Sequence, residues 1–373
     1  MSKLDRIIFR LQHYKLTRNT VDWTKTTSDH AAVIATLKHE VKAKARNEHI
    51  KLDNDIIKNH EYFTEINNYL IEQLSTAQHM NPHSKLDFAK MTIRTKTIEI
   101  MQRNKKKLVS ELHELNEEII KNNDLLTRYT DPQSQQILLH DLEELKSKKE
   151  IILQKQGEKL AHFAKARWYN DGEKSNKYFL NLLKRRASTN EMTRLSLNGR
   201  IIEDDSQIRE TVTNFYGRLY NNTETINIDN NLFDHMFKVE NTQNTALSLP
   251  VTKEELWANL KNARATTPGP DGLSNTYLKK LWHVQGDLLA NAWTYSIQIN
   301  ELPPSHKQSL LRLIPKSGKD LSDLKNWRPI TLSNCDHKLI TKTYNQRLLN
   351  TISTYITPIQ TAYVKGRNIS DNL

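Results

Sequence analysis

The sequence predicts a mainly α fold with small β elements, an α+β chain organised around a long helical hairpin or coiled coil. Three observations carry this. Between about residues 40 and 187, apolar side chains recur at three- and four-residue spacing in strongly charged surroundings, the period of helices with one buried face. Short β-rich runs stand at 4–9, 31–37, 195–203, 309–316 and 327–333. Hydrophobic residues make up 37% of the chain and mean hydropathy is −0.71, which suits long solvated helices around modest cores.

In chain order, Leu4 to Phe9 and Ala31 to Leu37 read as strands separated by a polar loop. Two such strands do not make a stable sheet alone, so residues 1–38 look like the end of something larger. Leu108, Leu112, Leu115, Ile119 and Leu126 form one helical stripe, and Leu138, Leu142, Leu145, Ile152 and Leu160 form another. Thr130-Asp131-Pro132 separates them, since Pro132 cannot continue the first helix. Arg103, Lys105, Lys106 and Lys107 fit either a phosphate contact or a solvated face.

Residues 166–186 read as a helix broken near Asn170 to Gly172. Trp168, Tyr178, Phe179, Leu182 and Leu183 fit a core. With Lys174, Lys177, Lys184, Arg185 and Arg186 beside them, they also fit a surface where bases stack and cations hold phosphates. Asn198-Gly199 between alternating apolar residues is the preferred pair for a tight hairpin. Asp204, Asp205 and Ser206 open a helix to about Tyr220, and residues 221–248, rich in Asn and Thr, read as a linker. Thr252 and Glu255 form a capping box. TTPGPDGLS, 266–274, forces an ordered non-helical loop. Helix follows to about Ile299, then the strand-like runs SLLRLIPK and WRPITLS, then a helix from about Asp336 to Ile356 with Leu339, Ile340, Tyr344, Leu348 and Ile352 on one face.

The chain has 373 residues, too many for one typical domain. Its net charge of +12 argues for a polyanionic partner, most often nucleic acid. Cys335 is the only cysteine, which excludes an internal disulfide and fits the nucleus or cytoplasm. No run approaches the roughly 18 apolar residues of a membrane span.

Two constellations could carry chemistry. Ser28-Asp29-His30 stands at a strand entry with Asp5 in the preceding strand. In a hydrolase one carboxylate holds an imidazole while the other nitrogen faces a phosphate oxyanion; the same residue types are also common in ordinary loops. The second is the pair of runs around 309–333. Strands joined by a basic loop can form a ribbon whose cations close over a nucleotide triphosphate, Lys316 as a mobile point charge and Arg328 as a planar fork. Pro315 and Pro329 stiffen the backbone beside them. A solvated hairpin fits the spacing equally well.

LDRIIF followed by SDHAAV resembles the last two strands of the endonuclease domain of LINE-like (non-LTR) retrotransposons, of the exonuclease–endonuclease–phosphatase fold. The resemblance implies that Asp5 orients His30, that Asp29 lies near metal and attacking water, and that this remnant has no nuclease activity. WYNDGEKSNKYF, FYGRLY, TTPGPDGLSNTYLK, LIPKSGK, NWRPITLSNCDHKLITK, NQRL and QTAYVKGRNISDN then follow in the order found in reverse transcriptases of the same elements. This implies a chain divided into an endonuclease remnant (1–38), a helical linker (40–187), a hairpin, helix and polar linker (188–248), and the N-terminal extension and fingers of a reverse transcriptase (249–373). It implies that Lys316 and Arg328 hold the dNTP triphosphate, that Pro268 to Gly272 lies beside the template, and that Lys365 and Arg367 contact nucleic-acid backbone. Implied partners are an RNA template, a DNA target and dNTP, with Mg²⁺ in the intact enzyme. The other reading is a non-enzymatic basic RNA- or DNA-binding or coiled-coil protein.

In that family the first palm aspartate follows the stretch that ends here at Leu373, and Asp320, Asp323 and Asp371 are not its equivalents. Two-metal nucleotidyl transfer needs those carboxylates. The purified chain is therefore expected not to incorporate dNTPs on a primed template. Incorporation above the level of a Lys316→Ala, Arg328→Ala control contradicts this.

Overall fold

The computed structural model describes residues 14–22, 32–39, 51–129, 131–164, 191–197, 199–221 and 240–352, with scattered positions from 355 to 370. The fold is mainly α; the described strands form three two-stranded antiparallel sheets. It divides into two units, Met1–Glu48 with Gln102–Glu191, and His49–Met101 with Met192–Leu373.

In the first unit, β1 (Tyr14–Asp22) pairs with β2 (Ala32–His39), from Tyr14 opposite His39 to Asp22 opposite Ala32. β2 lies where the apolar run predicts a strand. β1 lies in the stretch expected to be a polar loop, and Leu4 to Phe9 falls outside the described residues. Thr17, Thr20 and Val21 are β-branched and favour a pleated backbone, but their alternation is not an apolar one.

α3 (Pro82–Arg128) and α4 (Pro132–Ala164) meet the expected break. Asp131 caps α4, its Oδ2 accepting from the Ser134 N–H at 2.9 Å, while Pro132 takes the first helical position, where no amide donor is needed. Along α3, Ile119 is buried and Leu108, Leu112, Leu115 and Leu126 are half-buried. Along α4, Leu142 is buried and Leu138, Leu145 and Ile152 are half-buried. Leu160 is not among the described side chains. With half-buried Asn122 in α3, and with Gln135 and Lys149 in α4, both stripes keep a strict alternation of three- and four-residue steps, the spacing of a heptad seam. Val109, Ile120, Ile137, Leu139 and Ile151 lie off the seam and are exposed.

In the second unit, α1 (Asn54–Lys58), α2 (His60–Thr76) and the first turns of α3 share a core with α8 (Asn275–Lys280). Ile57, Ile66, Leu70, Ile93, Ile100 and Tyr277 are fully buried there, and the Tyr277 hydroxyl donates to the Asp53 carbonyl at 2.8 Å. Part of the expected helical linker, residues 51–101, thus packs in the unit that holds the chain's second half. α7 (Lys253–Leu260), α9 (Trp282–Ile299) and α10 (Cys335–Ile352) form a second core around Leu256, Leu260, Leu289 and Ile340, which Leu86 of α3 joins. Thr252 caps α7 by accepting from the Glu255 N–H at 3.2 Å.

The helix expected over 275–299 is interrupted at Leu281, between α8 and α9. The expected linker contains α6 (Asn241–Ser248), whose Thr245 and Ser248 hydroxyls donate to carbonyls one turn back at 2.8 and 2.9 Å. Arg347 grips its end, donating to the Leu249 and Pro250 carbonyls and in bidentate fashion to Glu255. Leu348, expected on the apolar face of α10, is 45% exposed.

A third cluster joins the hairpin β3 (Leu195–Leu197)–β4 (Arg200–Ile202) and α5 (Asp205–Tyr220) to Leu324 and Trp327. Gly199 has φ +77°, as the Asn-Gly turn requires, and Asp204 caps α5 with 3.0 Å bonds from the Ser206 and Gln207 amides. Among the described residues no helix is long and apolar enough to cross a membrane.

The seam makes a direct prediction. Ile119→Ala, at a side chain 1% exposed, lowers stability by about 2–4 kcal/mol, whereas Val109→Ala, 59% exposed, changes it by less than about 0.5. Urea unfolding followed by helical circular dichroism checks the contrast.

Candidate nucleotide-phosphate site

β5 (Leu310–Pro315) and β6 (Trp327–Leu332) form the ribbon that the two apolar runs predict. Ile314 stands opposite Arg328 and Pro315 opposite Trp327. The Lys316 amide then donates to the Asn326 carbonyl at 2.9 Å, which extends the ladder one step. Side chains alternate between faces along a strand, so Lys316 falls on the face of Ile314 and Arg328, a diagonal neighbour about 7–8 Å from Arg328 between backbones. Arg312, opposite Ile330, lies on the same face. Arg312, Ile314, Arg328 and Ile330 are exposed. The other face is anchored: Trp327 is buried with Leu324, Leu313 packs against the same cluster, and the Trp327 indole donates to the Leu321 carbonyl at 3.0 Å.

The connecting loop folds on itself. Asp320 accepts from the Ser322 amide at 3.0 Å and its hydroxyl at 2.8 Å, and Asp323 accepts from the Lys325 amide at 2.9 Å. The Ser196 amide donates to the Ser322 carbonyl at 2.7 Å, tying the loop to β3. The Lys316 ammonium donates to the Lys325 carbonyl at 2.8 Å, and Arg328 makes no ion pair among the described residues.

The base of the ribbon rests on a buried charge cluster that the sequence reading does not foresee. Lys90 of α3 is 5% exposed. Its Nζ lies 2.7 Å from Asp336 Oδ2, 3.0 Å from Asp271 Oδ2 and 2.9 Å from Ser305 Oγ. His306 Nε2 sits 3.0 Å from the same Asp336 oxygen, and its ring stacks on His337 with centroids 5.1 Å apart. One turn along α3 from Lys90, Arg94 donates to the Asp271 carbonyl at 2.7 Å. Asn334 closes the set: its Oδ1 accepts from the Asp271 amide at 3.2 Å and its Nδ2 donates to the Ser305 carbonyl at 2.9 Å. Gly269 approaches so closely that a Cβ there would lie 2.4 Å from the Asn334 nitrogen.

Burial alone would raise the Asp336 carboxyl; the charges of Lys90 and His306 outweigh it and hold Asp336 well below the usual carboxylate range. Burial raises Asp271, Lys90 opposes this, and the neighbouring Asp336 charge adds to the rise. Burial opposes the charged form of Lys90, but the two carboxylates push its value up. The loop carrying Asp271, expected beside a template, therefore turns this carboxylate inward. The signal in the sequence is Lys90 itself, which interrupts the apolar positions Leu86, Ala89 and Ile93.

Among the other expected site residues, Arg367 uses its guanidinium on the Ile356, Thr357 and Gln360 carbonyls at 3.0, 2.6 and 2.8 Å. Asp5, Asp29, His30, Lys174, Lys177, Arg185, Arg186 and Lys365 lie outside the described residues. Arg312 is absent from the sequence reading, although it alternates with Ile314 and Lys316 at the period of a strand.

No protein-family model matches the chain. Over 207 residues, 54% of its length, the chain is 31% identical to the Transposon TX1 uncharacterized 149 kDa protein of Xenopus laevis. The match covers 16% of that protein, so the matched stretch spans about a sixth of its relative's length.

The sign of the Asp336 shift fixes a pH dependence. Its folded value lies below the unfolded one near 3.9, so its stabilisation is present above that value and is lost as pH falls through the folded one. Asp271, shifted upward, works in the opposite sense. Asp336→Asn is expected to destabilise the fold by about 3 kcal/mol at pH 7, with the gap narrowing below about pH 4. Urea midpoints of parent and variant across this range test it, and a gap independent of pH contradicts it.

Proposed function

We propose that this chain is a segment of a retrotransposon-related protein of the LINE-like (non-LTR) reverse transcriptase class, and that its β5–β6 ribbon grips the triphosphate of an incoming dNTP. The observation that carries this is the register that sets Lys316 and Arg328 on one face of the ribbon, with Arg312 beside them. The similarity to a transposon protein supports the element of origin. Lys316 would release the Lys325 carbonyl and turn its ammonium to phosphate oxygens, while Arg328 presents two parallel donors. An RNA template and a DNA target are the polymeric partners on this reading, in nucleus or cytoplasm.

Magnesium would stabilise the attacking and leaving oxygens of the transfer. The described carboxylates do not fit such a site. Asp271 and Asp336 are paired with Lys90, Asp320 and Asp323 hold loop amides, and no group of three His, Cys, Asp or Glu side chains among the described residues could hold a metal. No transfer step is assigned to them. The heptad seam of α3 and α4 favours a second role, an antiparallel coiled coil that serves as a spacer or protein contact.

Titration of the 373-residue chain with magnesium dATP at low salt tests the grip. Arg328→Ala and Lys316→Ala should each weaken affinity about five- to tenfold, the loss of one charge-assisted contact. Equal affinity in the parent and the double variant, or no dATP binding by the parent, contradicts the reading.

A further inference from the structure

We propose that Lys90 is a positioning residue, a buried hinge pin that fixes the β5–β6 ribbon against the Pro268–Gly272 loop. Its bearing on dNTP binding rests on the grip proposed above; the hinge itself does not.

An ammonium has three donors, and Lys90 directs them to three separate segments. Ser305 precedes β5, Asp336 follows β6, and Asp271 belongs to the glycine- and proline-rich loop. The two legs of the ribbon and the loop thus meet at one atom. Asn334 repeats the connection through amide and carbonyl groups, and the close approach of Gly269 leaves no room for the loop to slide past it. Beyond this base the outer face of the ribbon is exposed.

The lever arm sets the consequence. Arg328 stands four residues from Leu332 at the foot of β6, about 13 Å at the rise of a strand. A pivot of about 10° at the base, carrying with it the cluster of β3, β4 and α5 that packs on Trp327, moves Arg328 by about 2 Å, enough to break a hydrogen bond to a phosphate oxygen, since misplacement by about 1 Å already impairs a positioned group. A loop that shares the pin with the ribbon transmits its own displacement to Lys316 and Arg328 without touching the nucleotide.

Amide hydrogen exchange of the full chain tests the hinge without any ligand. Ser305→Ala removes one strand of the pin and leaves both carboxylates paired; Asp271→Asn weakens the loop side while keeping the side chain's shape. Each is expected to speed exchange over residues 310–332 about tenfold while residues 253–299 exchange as in the parent. Magnesium dATP affinity falls several-fold in the same variants. Lys90→Met extends the series, and if it fails to fold, the two milder variants decide. Unchanged exchange in the ribbon, or a uniform rise across residues 253–352, overturns the hinge. If the parent binds no dATP but ribbon exchange responds, the grip is lost and the hinge stands. If Arg328→Ala abolishes dATP binding while ribbon exchange ignores Ser305→Ala and Asp271→Asn, the hinge is lost and the grip stands.

Discussion

One buried ammonium organises the second unit. Taking a lysine and two aspartates out of water costs several kcal/mol per ion, and their mutual attraction offsets that cost only when the geometry is good and the remaining polar atoms are satisfied. Around Lys90 most of these conditions hold. Three oxygens lie within 3.0 Å of Nζ. The second oxygen of Asp336 accepts from the His337 amide at 2.8 Å, and the second oxygen of Asp271 accepts from the Leu273 amide at 2.9 Å. Such a cluster adds little net stability over an apolar core, but it discriminates sharply between arrangements, because any displacement leaves a charge buried and unpaired. The constraint falls on α3, the 266–274 loop, both feet of the ribbon and the start of α10.

The same arithmetic changes the meaning of the net charge of +12. Several of the cations work inside the fold. Lys279 donates to the Lys261 and Ala263 carbonyls and Lys342 to that of Asn259, all near the C-terminus of α7, where positive charge is favoured. Lys338 holds the Thr267 carbonyl, Arg347 clamps Glu255, and Arg367 holds three carbonyls of its own segment. A basic composition therefore does not map a binding face. The outer face of β5–β6 is different, since Arg312 and Arg328 are exposed beside exposed Ile314 and Ile330.

Local signals in the sequence carry much of the architecture. Asp204 and Thr252 cap the helices they are expected to open, the break between α3 and α4 falls where it is expected, Gly199 turns the hairpin, and the leucine stripes of α3 and α4 are the less exposed positions. These features depend on neighbours within a turn or two, which is why they are legible. The strand Tyr14–Asp22 is hidden because its alternation is polar, and α6 because Asn and Thr have low helix propensity and a distant arginine holds its end. The charge cluster is least legible of all: Lys90 meets Asp271 and Asp336 across 181 and 246 residues of sequence, a pairing that no local pattern encodes. For the ribbon face, alternation places Lys316 and Arg328 on their strands, but only the observed register decides that they share a side.

A double-mutant cycle on Lys90 and Asp336 separates a coupled buried pair from two independent charges. Lys90→Met, Asp336→Asn and the double variant are compared with the parent by urea unfolding at pH 7. A pair that organises the fold gives a coupling energy above about 2 kcal/mol, with the double variant less damaged than the sum of the single ones. Additivity within about 0.5 kcal/mol contradicts such an organising role, because the two charges would then act independently.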